Sequence, residues 1–239
     1  MTNLKSKKQK NVKKDSFGTV ESALTNAERF LEHKQKLILY VLGAVLGIIL
    51  IIIGYINFIQ KPHEKDAYTY SFKAQQYFEQ ANSLDTAMFN LALNGDGVNM
   101  GFLEVIDEYG STKMGNLSKY YAGVCYMNLG KYEEAIEMFN KFKGNDDVIY
   151  PRSLELLGDA NLELNNLQDA LKYYLKAADK AKNDVMSPQC LEKAAKTCIL
   201  LEDYKQVFDI FTRIDKEYHS YTQSNPNIEK YIQFSKEKM

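Results

Sequence analysis

The sequence is poor in the residues on which metal and redox chemistry depend, with three cysteines and three histidines in 239 residues. Cys125, Cys190 and Cys198 make no C-x-x-C pair, so neither a zinc site nor a dithiol redox site is spelled out. Cys190 and Cys198 are separated by about 12 Å along an expected helix, at roughly 1.5 Å per residue, too far for a disulfide. All three cysteines read as small buried hydrophobes. His33, His63 and His219 lie far apart and lack ligand-spaced neighbours, so no metal and no cofactor is expected. Signatures of catalysis are missing as well. There is no glycine-rich phosphate loop after a strand, no nucleophile elbow and no paired His/carboxylate set. "LNGDGVNMG" (93–101), the one Gly/Asp-rich stretch, lacks the ligand spacing of a calcium loop and reads as a helix end followed by a turn. These absences predict that the chain is not an enzyme.

The charge is nearly balanced, net −1, but it is unevenly placed. Residues 1–36 carry nine Lys/Arg against four Asp/Glu, whereas residues 61–239 carry 21 against 27. The acidic balance of the larger part argues against nucleic acid as its partner, because phosphate binding needs clustered cations. It suits a chain whose two ends occupy different compartments.

Between these parts stands "LILYVLGAVLGIILIIIGYI" (37–56), without a single charge. Twenty helical residues span about 30 Å, the thickness of a bilayer's hydrocarbon core. The exit, "NFIQKPHEK", offers no small-residue cleavage site, and no lipobox-like cysteine follows, so the helix is expected to be retained as a transmembrane segment over 37–59. Lys/Arg bias places the N-terminus in the cytoplasm and the large domain outside it. Tyr40 and Tyr55 fall near the two interfaces. Gly43, Gly47 and Gly54 lie within about 40° of one another at 100° per residue, and Gly43 and Gly47 form a G-x-x-x-G pair. They make a candidate docking face for another membrane helix, including that of a second copy. Upstream, residues 1–18 read as a basic disordered tail. Residues 19–36 read as an amphipathic juxtamembrane helix, with Thr19 as N-cap and Val20, Leu24, Ala27 and Leu31 at helical spacing.

The outer part repeats itself. "YYAGVCYMNLGKYEEAIEMFNKF" (120–142) aligns with "ELLGDANLELNNLQDALKYYLKA" (155–177), Gly123 on Gly158, Ala135 on Ala170 and Phe139 on Tyr174. A third copy, "EKAAKTCILLEDYKQVFDIFTRI" (192–214), places Ala195, Val207 and Phe211 at the same positions. Each unit reads as two amphipathic helices joined by a tight turn. One such unit leaves its apolar stripe uncovered, so neighbours must stack to make a core. The expected organisation is an extracytoplasmic domain over 66–239. It has repeats at 117–150, 152–186 and 189–222, a degenerate repeat at 66–115 and a capping helix at 226–238. The fold class is all-α, one membrane helix followed by a helical-hairpin solenoid.

A repeat of this length with Leu-Gly, Tyr, Ala and Phe in this order resembles the tetratricopeptide repeat. The resemblance implies a concave, protein-binding groove lined by the first helix of each unit. Carried over position by position, the groove residues are Tyr120, Val124, Met127 and Asn128 in the first unit. They are Arg152, Glu155, Asp159 and Leu162 in the second, and Glu192 and Lys196 in the third. The Lys/Asn/Arg set with which members of the family hold a terminal carboxylate is absent, which favours extended segments or folded partners as ligands. The whole chain is similar to YfgM-like ancillary subunits of the Sec translocon, as found in Bacteroidetes. "ERFLEHKQKL" and "GFLEVIDEYGSTKMGNLSKYYAGVCYMNLGKYEEAI" carry the likeness. That resemblance implies a single-pass protein of the bacterial inner membrane with a periplasmic domain. It implies Sec channel subunits, a membrane-anchored chaperone of the peptidyl-prolyl isomerase type and emerging polypeptide as partners. The alternative is a scaffold for envelope assembly or cell division.

Overall fold

The computed structural model describes residues 34–82 and 86–239. The basic tail and nearly all of the expected juxtamembrane helix lie outside them. The chain divides into two compact units, the first ending at Lys61 and the second running from Pro62 to Met239.

In the first unit, α1 (34–55) carries the apolar run, and its Leu, Ile and Val side chains are exposed, apart from the partly covered Ile38. It is long and apolar enough to cross a membrane. A single π turn, Ile56–Gln60, follows, marked by the Lys61 N–H bonding to the Ile56 carbonyl. Pro62 has no N–H to offer the carbonyl four residues before it, which disfavours the regular ladder here.

The second unit is helical, with no strand among its described residues. It begins with α2 (Lys61–Gln80, entered at Pro62), α3 (Thr86–Asn94) and α4 (Phe102–Tyr109). Three hairpins follow: α5 (Lys113–Asn128) with α6 (Tyr132–Lys141), α7 (Ile149–Glu163) with α8 (Leu167–Ala181), and α9 (Met186–Leu200) with α10 (Tyr204–Glu217). The short α11 (His219–Ser224) and α12 (Asn227–Lys238) close the chain.

One local device builds all three hairpins. Each first helix ends in a residue with positive φ: Gly130 (69°), Asn165 (58°) and Glu202 (58°). Its N–H bonds three residues back, and the next N–H reaches five back, as in Lys131 to Tyr126, Asn166 to Asn161 and Asp203 to Cys198. These paired bonds satisfy carbonyls that a helix end otherwise leaves open. Thr112 caps α5 by accepting from the Gly115 N–H at 2.9 Å, and Asp203 caps α10 by accepting from Gln206 at 3.0 Å. Pro151 and Pro188 sit in the first turns of α7 and α9, where a missing N–H leaves no bond unmade.

Within each hairpin a small residue on the first helix faces an aromatic on the second. A Cβ added at Gly123 would come within 2.6 Å of the Phe139 ring, and one at Gly158 within 2.4 Å of the Tyr174 ring. In the third hairpin Ala195 and Phe211 take these places, and both are fully buried in the main core. That core runs from α6 to α12, and a second one around Phe89, Leu93, Phe102 and Cys125 joins α2 to α6.

Candidate functional site

The first helices of the three hairpins share a face, and its chemistry centres on α7 and α9. Arg152, Glu155, Asp159 and Leu162 recur at helical spacing along one stripe of α7, as Lys193, Lys196, Thr197 and Leu200 do on α9. Lys193 joins the two helices. Its amine donates to both Asp159 carboxylate oxygens, at 2.7 and 2.8 Å, and pairs with Glu155 Oε1 at 2.7 Å. Arg152 holds the other Glu155 oxygen at 2.5 Å. The Tyr174 hydroxyl, arriving from α8, donates to Asp159 Oδ1 at 2.7 Å. Asp159, Leu162, Tyr174, Lys193, Lys196 and Leu200 surround a depression of about 130 Å³ between the helices.

These charges balance one another. Burial works to raise the Glu155 carboxyl, but Lys193 and Arg152 outweigh it and hold the group below the usual carboxylate range. Burial likewise works to lower the Lys193 amine, and its two carboxylate partners turn the shift upward. Burial first, then the Asp159 charge and hydrogen bond, drives the Tyr174 hydroxyl far above its ordinary value. Beyond Lys193, Lys196 pairs with Glu192 at 2.7 Å, and Glu192 also accepts the Tyr221 hydroxyl at 2.6 Å.

On α5, Tyr120 is half-buried, with its ring near those of Phe139 and Phe142, and its hydroxyl interacts with Arg152. Val124 and Met127 pack at the edge of the main core and leave part of their surface open. Asn128 turns back to donate to the Val124 carbonyl of its own helix. The structure therefore brings Tyr120, Arg152, Glu155, Asp159 and Leu162 together, with Lys196 on the far wall of the depression, where it is paired with Glu192. Glu155 is only 5% exposed, so it acts as a buried anchor for Lys193 and Arg152, not as a surface ligand.

The repeat pattern gives Tyr174 only as a packing aromatic, not as the partner of Asp159, and gives no role to Lys193; a stagger explains the lysine. Repeat alignment superposes Gly158 on Ala195 and so Asp159 on Lys196. The observed partner of Asp159 is Lys193, 34 residues on, nearly one helical turn earlier than the aligned position. A carboxylate and a lysine at that separation on successive first helices were the available signal.

Other features lie elsewhere. A cavity of about 530 Å³ lies between α2 and the 97–100 turn, away from this face. In that turn the Asp96 carboxylate accepts from the Val98 and Asn99 N–H groups, the Asn99 amide and the Tyr77 hydroxyl, so its oxygens serve the loop itself. Cys125, Cys190 and Cys198 are buried, and desolvation pushes each thiol up to about 12. They are protonated at neutral pH, the unreactive form. On α1, nothing lies within 4 Å of a Cβ built at Gly43, Gly47 or Gly54.

Residues 119–145 and 151–183 match the tetratricopeptide repeat family. These spans hold α6, α8, nearly all of α7 and the C-terminal part of α5. No curated protein matches the chain. The domain thus contains a tetratricopeptide-type repeat region, an architecture that serves protein–protein interaction.

Proposed function

We propose that the chain is a single-pass protein of the bacterial inner membrane and an ancillary subunit of the Sec translocon. Its N-terminus lies in the cytoplasm, and its repeat domain acts in the periplasm as chaperone or adaptor for exported proteins. The face shared by α5, α7 and α9 holds a segment of emerging polypeptide or of a membrane-anchored chaperone of the peptidyl-prolyl isomerase type. Gly43, Gly47 and Gly54 receive a channel or chaperone helix, or that of a second copy. The observation that carries the binding role is the composition of the shared face. Tyr120, Val124, Met127 and Leu162 offer part-open apolar surface beside ion pairs that are already satisfied. A ligand is then held mainly by apolar contact, with little charge to displace. The export role is supported by the order of parts, a basic segment, one apolar helix and a repeat domain, together with the resemblance of the whole chain.

The test is in-cell photo-crosslinking from Tyr120 and Met127, with identification of what each captures. Sec channel subunits, the chaperone or nascent exported chains are expected. Recovery of only envelope-synthesis or division proteins would replace the export role with the scaffold reading. Digestion of spheroplasts by an impermeant protease tests the orientation, and survival of residues beyond Lys65 would refute it.

A further inference from the structure

We infer that α12, described so far only as the closing helix, forms with the end of α9 an anchor pit for one large apolar side chain of a partner polypeptide, flanked in that partner by carboxylates. The inference rests on the protein-binding reading above and adds a second contact to it. A depression of about 520 Å³ opens between Ile199 on α9 and Asn227, Lys230, Tyr231 and Phe234 on α12. Those four residues recur at i, i+3, i+4 and i+7, so they form one face of the helix.

The pit is built before any ligand arrives. Tyr231 stacks on Phe211, with centroids 4.7 Å apart and planes 2° from parallel. Phe234 sets its ring edge-on to Tyr204 at 5.8 Å. Rings already fixed by such neighbours lose little freedom on binding. Yet Phe234 is 37% exposed, and Leu200, which lines the Lys193 depression and follows Ile199 on α9, is 60% exposed. Aromatics held in place by their neighbours are enriched at protein interfaces.

Charge identifies the occupant. No carboxylate lines the pit. The Lys230 amine donates to the Asn227 side-chain oxygen at 3.2 Å and makes no ion pair among the described residues. Lys196, by contrast, already has Glu192. An uncompensated positive charge thus sits at the rim of an apolar hollow, where a neighbouring carboxylate on the ligand is attracted and a basic segment is repelled. The chain's own residues 1–36, with nine Lys/Arg, have the wrong sign. The hollow is open to solvent, so a free lipid or metabolite would stay largely wet. A side chain borne on a polypeptide needs only its own apolar part covered, and the rest of that chain can cross Leu200.

The test uses the full chain in lipid nanodiscs and a random-peptide phage library as probe, selected in parallel on wild type, Lys230→Glu and Met127→Asp. Lys230 is exposed, so its charge reversal leaves the fold intact, which circular dichroism checks. Peptides enriched on wild type are expected to carry Phe, Leu, Ile or Met with Asp or Glu within two positions. A labelled representative should bind Lys230→Glu at least about tenfold more weakly, and lose binding as much when its apolar residue becomes Ser. Enrichment of basic or charge-indifferent peptides, or binding to Lys230→Glu within about twofold of wild type, overturns the pit. If binding is lost on Met127→Asp but not on Lys230→Glu, the pit falls and the shared face stands. No enrichment on any version removes both. Lys230-dependent self-association in sedimentation without enrichment overturns the proposal in favour of a second copy.

Discussion

Gly158→Ala puts two opposing effects in one methyl group. Helix propensity favours the substitution by about 1 kcal/mol in a helix interior. Packing opposes it, because the new Cβ would lie 2.4, 2.5 and 3.0 Å from three carbons of the Tyr174 ring. Carbon pairs are most stable near 3.5–4.0 Å, so the ring or the helix must move by roughly 1 Å. The ring has little room, being 1% exposed, and its hydroxyl is tied to Asp159 at 2.7 Å. Overpacking of this kind costs about 1–3 kcal/mol, and a strained hydrogen bond adds about 1 kcal/mol. The net expectation is a loss of about 2 kcal/mol, roughly thirtyfold in the folding equilibrium. Urea titration of the full chain in detergent, followed by helical circular dichroism, reads it as a lower midpoint at unchanged slope. Pairing Gly158→Ala with Tyr174→Leu makes room for the methyl, so the double variant should be more stable than the sum of the singles predicts. If Gly158→Ala alone unfolds later than wild type, the close approach of α7 and α8 is not what requires glycine there, and the reasoning fails.

Lys193→Met leaves Glu155 with Arg152 alone and Asp159 without its amine. Breaking a buried pair costs about 3–5 kcal/mol, but the lysine is partly exposed and Glu155 keeps one partner, so a loss of about 1–2 kcal/mol is expected in the same titration. The Glu155 carboxyl is depressed in the folded state, so its stabilisation is present above the ordinary carboxylate value and disappears as pH falls through the lower folded one. Thermal midpoints should therefore drop below about pH 4, and Glu155→Gln should flatten that drop. Glu202 holds a φ of 58° without being glycine. Left-handed backbone costs such a residue about 1–2 kcal/mol, so Glu202→Gly should raise the urea midpoint by an amount equivalent to roughly 0.5–1 kcal/mol. Gly43→Leu with Gly47→Leu meets no atom of this chain within 4 Å, so the repeat domain should stay folded while membrane partners cease to co-purify; persistent co-purification would end the docking idea.

The hairpins were legible because their determinants are local and repeat together. Gly123 with Phe139, Gly158 with Tyr174, and the turns at Gly130 and Asn165 recur with the same spacing, and each has a steric reason visible in the residue type. The stretch before α5 was harder. α2 buries Ala67, Ser71 and Ala74, small residues that leave no strong apolar stripe to count. Two helices, α2 and α3, also precede α4, where repeat logic expects one partner. The charged centre was half legible. Glu155 and Asp159 stood out on α7, but the lysine that neutralises them depends on how far α9 slides along α7, which no within-repeat pattern encodes. The pit at α12 joins Ile199 to residues some thirty positions later and arises only where two helix ends meet.

The Asp159–Lys193 tie has a consequence for modular rearrangement. Arg213 likewise reaches Asp179 across successive hairpins, 34 residues apart. Were the middle hairpin excised and the first fused to the third, Lys193 would confront Val124 and Tyr120, the counterparts of Asp159 and Glu155, and lose both its counter-ions. Units that look interchangeable by outline are thus addressed to particular neighbours, so shuffled or shortened arrays of this protein should assemble poorly unless the ionic partners travel together.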